Sequence, residues 1–449
     1  MGVNQSVGVE AIAARLSDVL GADSVVPWAQ VAADRQAQMQ AAIASERPPA
    51  CMVLPDSTEA LANAMALANE NRWRVLPTGQ SSKLSWGGLA EGIEVVIGTE
   101  RLNQVVEHAV GDFTVTVASG LKVAVLKQLL AKQGQFLAID PAFADRASVG
   151  GVVATADTGS LRARYGGLRD MLIGVQFVRY DGKVAKAGGR VVKNVAGYDL
   201  MKLMAGAYGS LGILSELTFR LYPQSVHSRS LILSGTAAAI EQAVAQARLL
   251  GLTPVALDVI SASFLASLMG KPASPDQQPG QFGLVARFQG VVEGIDEQAE
   301  RLQKIATMHS LTCQSLDQVA DDDFWQRSDR VIRSDTVLCK VGMRPSAIPA
   351  LLEMLKSIAP DAQARLHGHS GLGWAQFAPD RVSAEELSQL RSHCQQNGGF
   401  LTLLQAPKSL KRSIEAWGYT GDALDVMRAI KQKFDPHHSL SPGRFIGGL

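Results

Sequence analysis

The chain has 449 residues, of which 47% are apolar and 19% charged. That composition excludes a disordered chain and suits roughly two or three domains of about 150 residues each. Lys and Arg number 43 against 42 Asp and Glu, a net charge of +1, so no basic face for nucleic acid is expected.

No apolar run approaches the roughly 18 residues of a membrane span. The start, MGVNQSVGVEAIAARLSDVL, lacks the basic-then-apolar order of a secretory leader. Met1-Gly2 with Ser6 fits a myristoylation pattern, but the pattern is short and is read as chance. Cys51, Cys313, Cys339 and Cys394 form no C-x-x-C pair. Neither a zinc site nor an iron–sulfur cluster is therefore expected. They read as buried apolar residues of a reduced, cytoplasmic compartment, so electrons that leave this protein must leave through something other than its own cluster.

In chain order, Val9, Ile12, Leu16 and Leu20 share one face of a helix over 8–20. A Gln/Ala-rich stretch follows to about Arg47, and residues 1–46 are taken as an N-terminal helical extension. Strands are expected at 51–55, 74–77, 93–97 and 113–117. Helices are expected from Asp56 to Asn71, with N-capping side chains at its start, and over 122–133. Strands and helices interleave, so the region 47–223 is mixed α/β in order. It closes on the strand Thr218–Tyr222, stopped by Pro223. Residues 224–420 begin a second domain, with strands at 230–233, 255–258 and 282–288 and helices at 236–251 and 295–308. This order suggests an antiparallel sheet with helices on one face. The stretch PASPDQQPG (272–280) reads as a surface loop. A helix at about 421–433 and a turn-rich tail complete the chain.

Three segments carry candidate chemistry. Pro77, Thr78, Gly79, Gln80, Ser81 and Ser82 directly follow a strand and offer consecutive N–H groups and hydroxyls. Such a nest holds a pyrophosphate without a cationic side chain. Neither the P-loop nor the G-x-G-x-x-G spacing is met; an ordinary turn is the competing reading. The second segment is Ala147-Ser148-Val149-Gly150-Gly151, running to Thr155, with Pro141 before it and Gly159 after. Its paired glycines let a flat ligand lie against backbone, and Ser148 is a helix cap in either reading. In the third, GGRVVKNVAGYDL is followed by Gly206, Gly209 and Gly212, a repeat that alone is also compatible with helix packing and a C-cap.

Together, the loop PTGQSS, the segment ASVGG, the phrase GGRVVKNVAGYDLMKLMAGAYGSLGILSE and the ending FDPHHSLSPGR resemble the flavoproteins with a PCMH-type FAD-binding domain, relatives of vanillyl-alcohol oxidase. Within that family the chain looks most like the smaller FAD-binding subunits of bacterial glycolate oxidase (glycolate dehydrogenase). The resemblance covers about 47–223 and is loose over 224–420. It implies an α+β fold: a two-lobed PCMH-type FAD-binding domain, an α+β cap domain, and a C-terminal segment, 421–449, returning to the FAD domain. It implies that Thr78, Gly79, Gln80, Ser81 and Ser82 hold the pyrophosphate. Ser148, Gly150, Gly151 and Thr155 would line the flavin and ribityl side, and Ile213, flanked by Gly212, would reach the adenine. Pro77, Pro141 and Val149 complete the implied set. Covalent attachment in the family often uses a histidine near the first loop. None lies between residues 50 and 107, so FAD is expected to be noncovalent.

The departures bear on chemistry. Relatives that oxidise D-2-hydroxy acids carry a G-H-x-G-D-G-N-x-H type metal motif in the cap. Here His369 matches the first ligand, but Leu372 replaces the acid and Gln376 stands where the second histidine belongs. A site with one histidine is weak, so no metal is expected, and His367 and His369 read as structural or as remnants. Arg327, Arg330 and Arg333 recur every three residues and one is a candidate carboxylate clamp, against the reading of a solvated helix face. Arg327, Arg330 and His369 are thus weak catalytic candidates.

The expected function is an FAD-binding subunit of a complex that oxidises glycolate or another small 2-hydroxy acid. A larger FAD-binding subunit and an iron–sulfur subunit are the expected partners. The location is cytoplasmic, or peripheral at a membrane through those partners. The alternatives are a flavin-bearing structural partner without catalysis, and an independent alcohol or sugar oxidase.

Overall fold

The computed structural model describes residues 8–191, 197–270 and 281–449. Its first sheet is ordered Val25–Pro27, Cys51–Val53, Val95–Gly98, Val75–Thr78. The inner pairings are parallel, with Val95 beside both Cys51 and Val75. Strands CMV and VVIG are buried along their whole length, as a sheet covered on both faces requires. Helix Thr58–Glu70 covers one face with Leu61, Ala64, Met65 and Ala68. Ser57 starts that helix by accepting the Ala60 N–H on its hydroxyl.

Of the segment 1–46, the described residues 8–46 are no separate extension. Its residues Val25–Pro27 pair antiparallel with Cys51–Val53, and Ile12, Ala13 and Leu16 of helix Val9–Leu20 join the core around Leu61 and Met65. A three-residue strand is too short to show a period in sequence.

The second sheet is ordered Val105–Ala109, Thr114–Ala118, Ile213–Arg220, Leu172–Val178, Val184–Gly188. All its pairs are antiparallel. Leu172–Val178 is buried along its whole length. Helices Val123–Ala131 and Val149–Thr155 pack beneath it through Val123, Leu126, Leu130, Val149, Val152 and Val153. Within the GGRVVKNVAGYDL phrase, residues 192–196 lie outside the described residues.

The cap is an eight-stranded sheet ordered Thr312–Leu316, His227–Gly235, Phe282–Gly290, Ala256–Ile260, Gln363–His367, Leu372–Phe377, Val337–Gly342, Phe400–Gln405. Its pairings are antiparallel. The expectation of helices on one face needs correcting. Leu231 and Leu233 face the core built with helices Ala237–Leu249, Val292–Met308, Ile348–Ile358 and Ala384–Gln396. Ile232 faces the opposite way, into a cluster with Phe264, Leu268, Phe324 and Trp325 of helices Ala262–Leu268 and Gln318–Asp329. The unbroken Leu-Ile-Leu run is what a strand covered on both faces looks like. The loop expected at 272–280 lies outside the described residues.

The tail packs back onto the first two sheets. The Val75 N–H donates to Ser439 O at 2.7 Å and the Ser441 N–H to Val75 O at 2.9 Å, so Leu440 runs parallel beside Val75. A buried ion pair fixes this turn: Lys431 Nζ and Asp435 Oδ2 are 2.6 Å apart, with side chains 1% and 0% exposed. Lys431 also donates to Ser210 O and Leu440 O, while Asp435 accepts the Ser439 and Leu440 N–H groups. Removing one partner of a buried pair strands the other charge at about 3–5 kcal/mol. Lys431→Met should therefore lower unfolding free energy by about that amount in urea titrations. An exposed control, Arg428→Met, should change it by under about 1 kcal/mol.

Candidate functional site

A cleft runs between the first and second sheets. The chain Pro77-Thr78-Gly79-Gln80-Ser81-Ser82 forms one wall, where strand Val75–Thr78 ends. Ser81 sits at φ +59°, and the Thr78 and Ser81 hydroxyls are 3.1 Å apart. Ser148, Gly150, Gly151 and Thr155 form the facing wall, and Gly212 and Ile213 lie along the cleft. Ser148 caps helix Val149–Thr155 by accepting the Gly151 N–H.

The two walls touch where the Gly79 backbone meets the Ser148 side chain. A Cβ on Gly79 would stand 2.0 Å from Ser148 Oγ, and one on Gly150 would stand 2.7 Å from Ser119 Cβ. Ser119 lines the cleft, and its Oγ is buried with no partner in the protein. A buried hydroxyl left in this state points to a polar ligand. The lining includes the cations Lys83 and Arg444 and, among the described residues, no carboxylate. The donor set therefore fits a diphosphate-bearing cofactor.

The chain after the nest is pinned by two basic side chains, the buried Arg444 and the half-buried Lys411. Arg444 donates to Leu84 O and Trp86 O, each at 2.8 Å. Lys411 Nζ donates to Ser85 O and, at 2.6 Å, to Gly87 O. Burial, with Arg444 adding to it, brings Lys411 down to about 7.

Beside the cleft, the cap meets the two sheets at a group of charges. Lys83 and Asp157 pair at 3.2 Å, their side chains 4% and 14% exposed. Asp157 also accepts the Ala142 N–H at 2.8 Å. Lys340, on the cap strand Val337–Gly342, is held below the usual lysine range by burial, with Asp157 pulling it up and Arg162 pushing it down. Lys83 is lowered by burial in the same way. Sequence reasoning assigns no role to Lys83, Ser119, Asp157, Arg162, Lys340 or Arg444. Lys83 adjoins the nest and Arg444 lies in the segment FDPHHSLSPGR, so both carry a signal. Lys340 sits in the cap strand VLCKVG, an apolar run broken by one charge.

Several expected residues lie elsewhere. Val149 is 0% exposed and faces the core beneath the second sheet, because it opens the helix on the side away from the cleft. Pro141 is buried outside the cleft lining, between Asp140 and Ala142, whose carboxylate and N–H are used to hold the loop after Thr155. Arg327 pairs with Asp323 on its own helix and is 46% exposed. Arg330 is exposed where that helix ends, and Arg333 pairs with Asp335. These arginines form no clamp: helix Gln318–Asp329 buries Phe324 and Trp325 and turns its arginines away from the cleft. His369 lies outside the cleft, with burial and Arg248 lowering its pKa. His367 is buried, Nδ1 2.8 Å from Asp258 Oδ1. Among the described residues no group of three or more His, Cys, Asp or Glu is placed to hold a metal.

Residues 49–188 match the family described as FAD binding domain. The chain is an FAD-dependent oxidoreductase. Over 436 residues it is 28% identical to a D-lactate dehydrogenase of Anaerostipes hadrus, covering 90% of each chain. It is 23% identical over 424 residues to the glycolate oxidase subunit GlcD of Bacillus subtilis, covering 89% of each. Its fold matches p-cresol methylhydroxylase at a TM-score of 0.72 and 16% identity, over 99% of this chain and 97% of that one. The α+β architecture of this oxidoreductase is therefore PCMH-type.

Gly79→Asp places a side chain and a negative charge where the walls touch. Protein carrying it should purify with little flavin. Gly111→Asp, where an added Cβ meets nothing within 4 Å, should keep it. Full flavin absorbance in the Gly79 variant would show that the loop is not the phosphate site.

Proposed function

We propose that this chain holds FAD noncovalently in the cleft and oxidises a small D-2-hydroxy acid there, as one subunit of a larger complex. The observation that carries this reading is the charged group at the cap boundary, where Lys83, Arg162 and Lys340 outnumber Asp157. A cationic group beside the cleft, with Lys83 buried, Lys340 half-buried and Arg162 exposed, suits a substrate with a carboxylate. The D-lactate and glycolate named for the relatives are 2-hydroxy acids, which supports the same class.

When bound, FAD supplies the two-electron acceptor. The protein must then do three things. Lys340 and Arg162 hold the substrate carboxylate, Asp157 takes the hydroxyl proton, and the buried Lys83 keeps the Asp157 side chain in place. Thr78, Gly79, Gln80, Ser81 and Ser82 hold the diphosphate, with Ser119 and Ser148 across from them and Gly212 and Ile213 along the adenosine side. Among the described residues that line the cleft, none is a histidine or cysteine, which favours noncovalent attachment.

Cys51, Cys339 and Cys394 are buried and Cys313 is exposed, and we propose that the flavin's electrons pass on to another protein. A larger flavin-binding subunit and an iron–sulfur subunit are the partners we propose. A second reading, a flavin-bearing partner without catalysis, draws support from His369, which stands outside the cleft without the acid and second histidine of the motif it resembles.

Acid precipitation should release all the flavin into the supernatant; flavin retained on the pellet would contradict noncovalent binding. With glycolate or D-lactate and a quinone, the isolated chain should turn over far below the typical range of about 1–1000 per second. Adding the co-purifying subunits should bring it into that range. A lone chain already within it would contradict the need for partners.

A further inference from the structure

The loop from Asp157 to Ser160 belongs to no helix or strand, yet it presents Asp157 to Lys83. Its shape is set from one side by Asp140, whose carboxylate accepts the Gly159 N–H at 2.9 Å and the Leu161 N–H at 3.3 Å. Only glycine fits at 159, since a Cβ there would stand 2.4 Å from Asp140 Oδ2. Two residues on, the Ala142 N–H donates to Asp157. The stretch 140–142 and the loop 157–161 are thus stapled at both ends.

From the other side the loop is held by the cap. Arg365 lies on strand Gln363–His367 and is 4% exposed. Its Nε and Nη2 donate to Ser160 Oγ at 3.0 and 2.6 Å. The same guanidinium donates to Asp258 at 2.9 Å and to Ser328 at 3.0 Å, and its Nη2 stands 3.6 Å from Asp140. Trp325 covers its face at 5.2 Å. Ser160 in turn donates to Asp258. All three nitrogens of this fork are directed at fixed acceptors, and the pair to Ser160 crosses the domain boundary.

We propose that Arg365 is a positioning residue for the reaction: with Asp140 it forms a latch between the cap and the loop 157–161, and so sets Asp157 against Lys83 and Lys340. This rests on the reading of that charged group as the place where the substrate is bound. The latch is pH-sensitive through Asp140. Arg365, His367, Asp329, Arg287 and Lys127 face Asp140 or the cavity that it lines, and Asp258 stands on the far side of Arg365. That cavity, of about 840 Å³, lies between the domains and gives Asp140 a route to exchange its proton with water. Burial, against the pull of Arg365, pushes Asp140 up to about 6. A carboxyl raised in this way holds its proton more tightly in the latched state, so the latch is held best below that pH and loosens as pH rises through it.

The test compares flavin-loaded wild type with Arg365→Met, Arg365→Lys and Asp140→Asn. Hydrogen exchange at the Gly159 and Leu161 amides should quicken at least about tenfold in the variants, while strand Leu172–Val178 exchanges as before. Flavin per chain should be unchanged. The rate of flavin bleaching by excess hydroxy acid should fall by about 10²-fold in Arg365→Met, as expected for a misplaced reacting group. In wild type that rate should fall as pH passes about 6, and in Asp140→Asn that fall should be absent. Unchanged exchange at 159 and 161, or a pH limb that survives in Asp140→Asn, overturns the latch. If Arg365→Met does not fold, Arg365→Lys takes its place: it keeps the charge but loses the fork, so the same faster exchange supports the latch and unchanged exchange overturns it. If wild type bleaches with no hydroxy acid, the functional reading fails, and the exchange data still decide the latch.

Discussion

The Arg365 guanidinium is buried between two domains, and the arrangement of both depends on its being paired. It lies 2.9 Å from Asp258 and 3.6 Å from Asp140, one carboxylate from the cap and one from the opposite side of the boundary. A charge taken this far from water is tolerated only with near-complete hydrogen bonding, and removing one partner costs about 3–5 kcal/mol. The two acids respond oppositely. Although burial raises Asp258, Arg365 and His367 bring it down to about 2, whereas burial wins at Asp140, which rises to about 6. The depressed group stabilises the fold above the unfolded value of about 3.9, and this is lost as pH falls toward 2. The raised group contributes in the other direction: its contribution is complete below about 3.9 and is lost as pH rises through 6. Net stability from this cluster therefore passes through a maximum at mildly acidic pH.

The cleft obeys a different constraint, the close approach of glycine backbone to the Ser148 and Ser119 side chains. Gly79 and Gly150 have no room for a Cβ, so the walls come together where small residues allow it, and hydroxyls replace larger donors. Arg444 and Lys411 then fix the chain from Leu84 to Gly87 through four consecutive carbonyls. The tail reaches the cleft because the buried Lys431–Asp435 pair locks Leu440 beside Val75. Binding surface and domain docking are thus built from the same few buried charges.

What is legible in the sequence is local. The nest at 77–82 and the glycine pair at 150–151 lie on the cleft because a strand end and a helix cap carry their own signals. The strands at 25–27 and 105–109 carry none, being short or without alternation. The arginines at 327, 330 and 333 stand out by their spacing, yet none reaches the cleft, while the buried Arg365 has no periodic neighbours to mark it. Lys83, Asp157 and Lys340 meet only through tertiary folding, from positions more than 70 residues apart, and no local pattern could join them. Val149 follows the glycine motif but turns into the core, since neighbouring positions of a short helix face different ways.

The most direct measurement is anaerobic mixing of the purified, flavin-loaded chain with excess D-lactate or glycolate, without partner or acceptor, while the visible flavin absorbance is followed. The account predicts bleaching of one equivalent of flavin per chain by at least one of these acids. It also predicts bleaching by the D and not the L form of lactate. A flavin that stays oxidised with every 2-hydroxy acid, yet is bleached by dithionite, would contradict substrate oxidation at this chain and leave it a flavin-bearing partner.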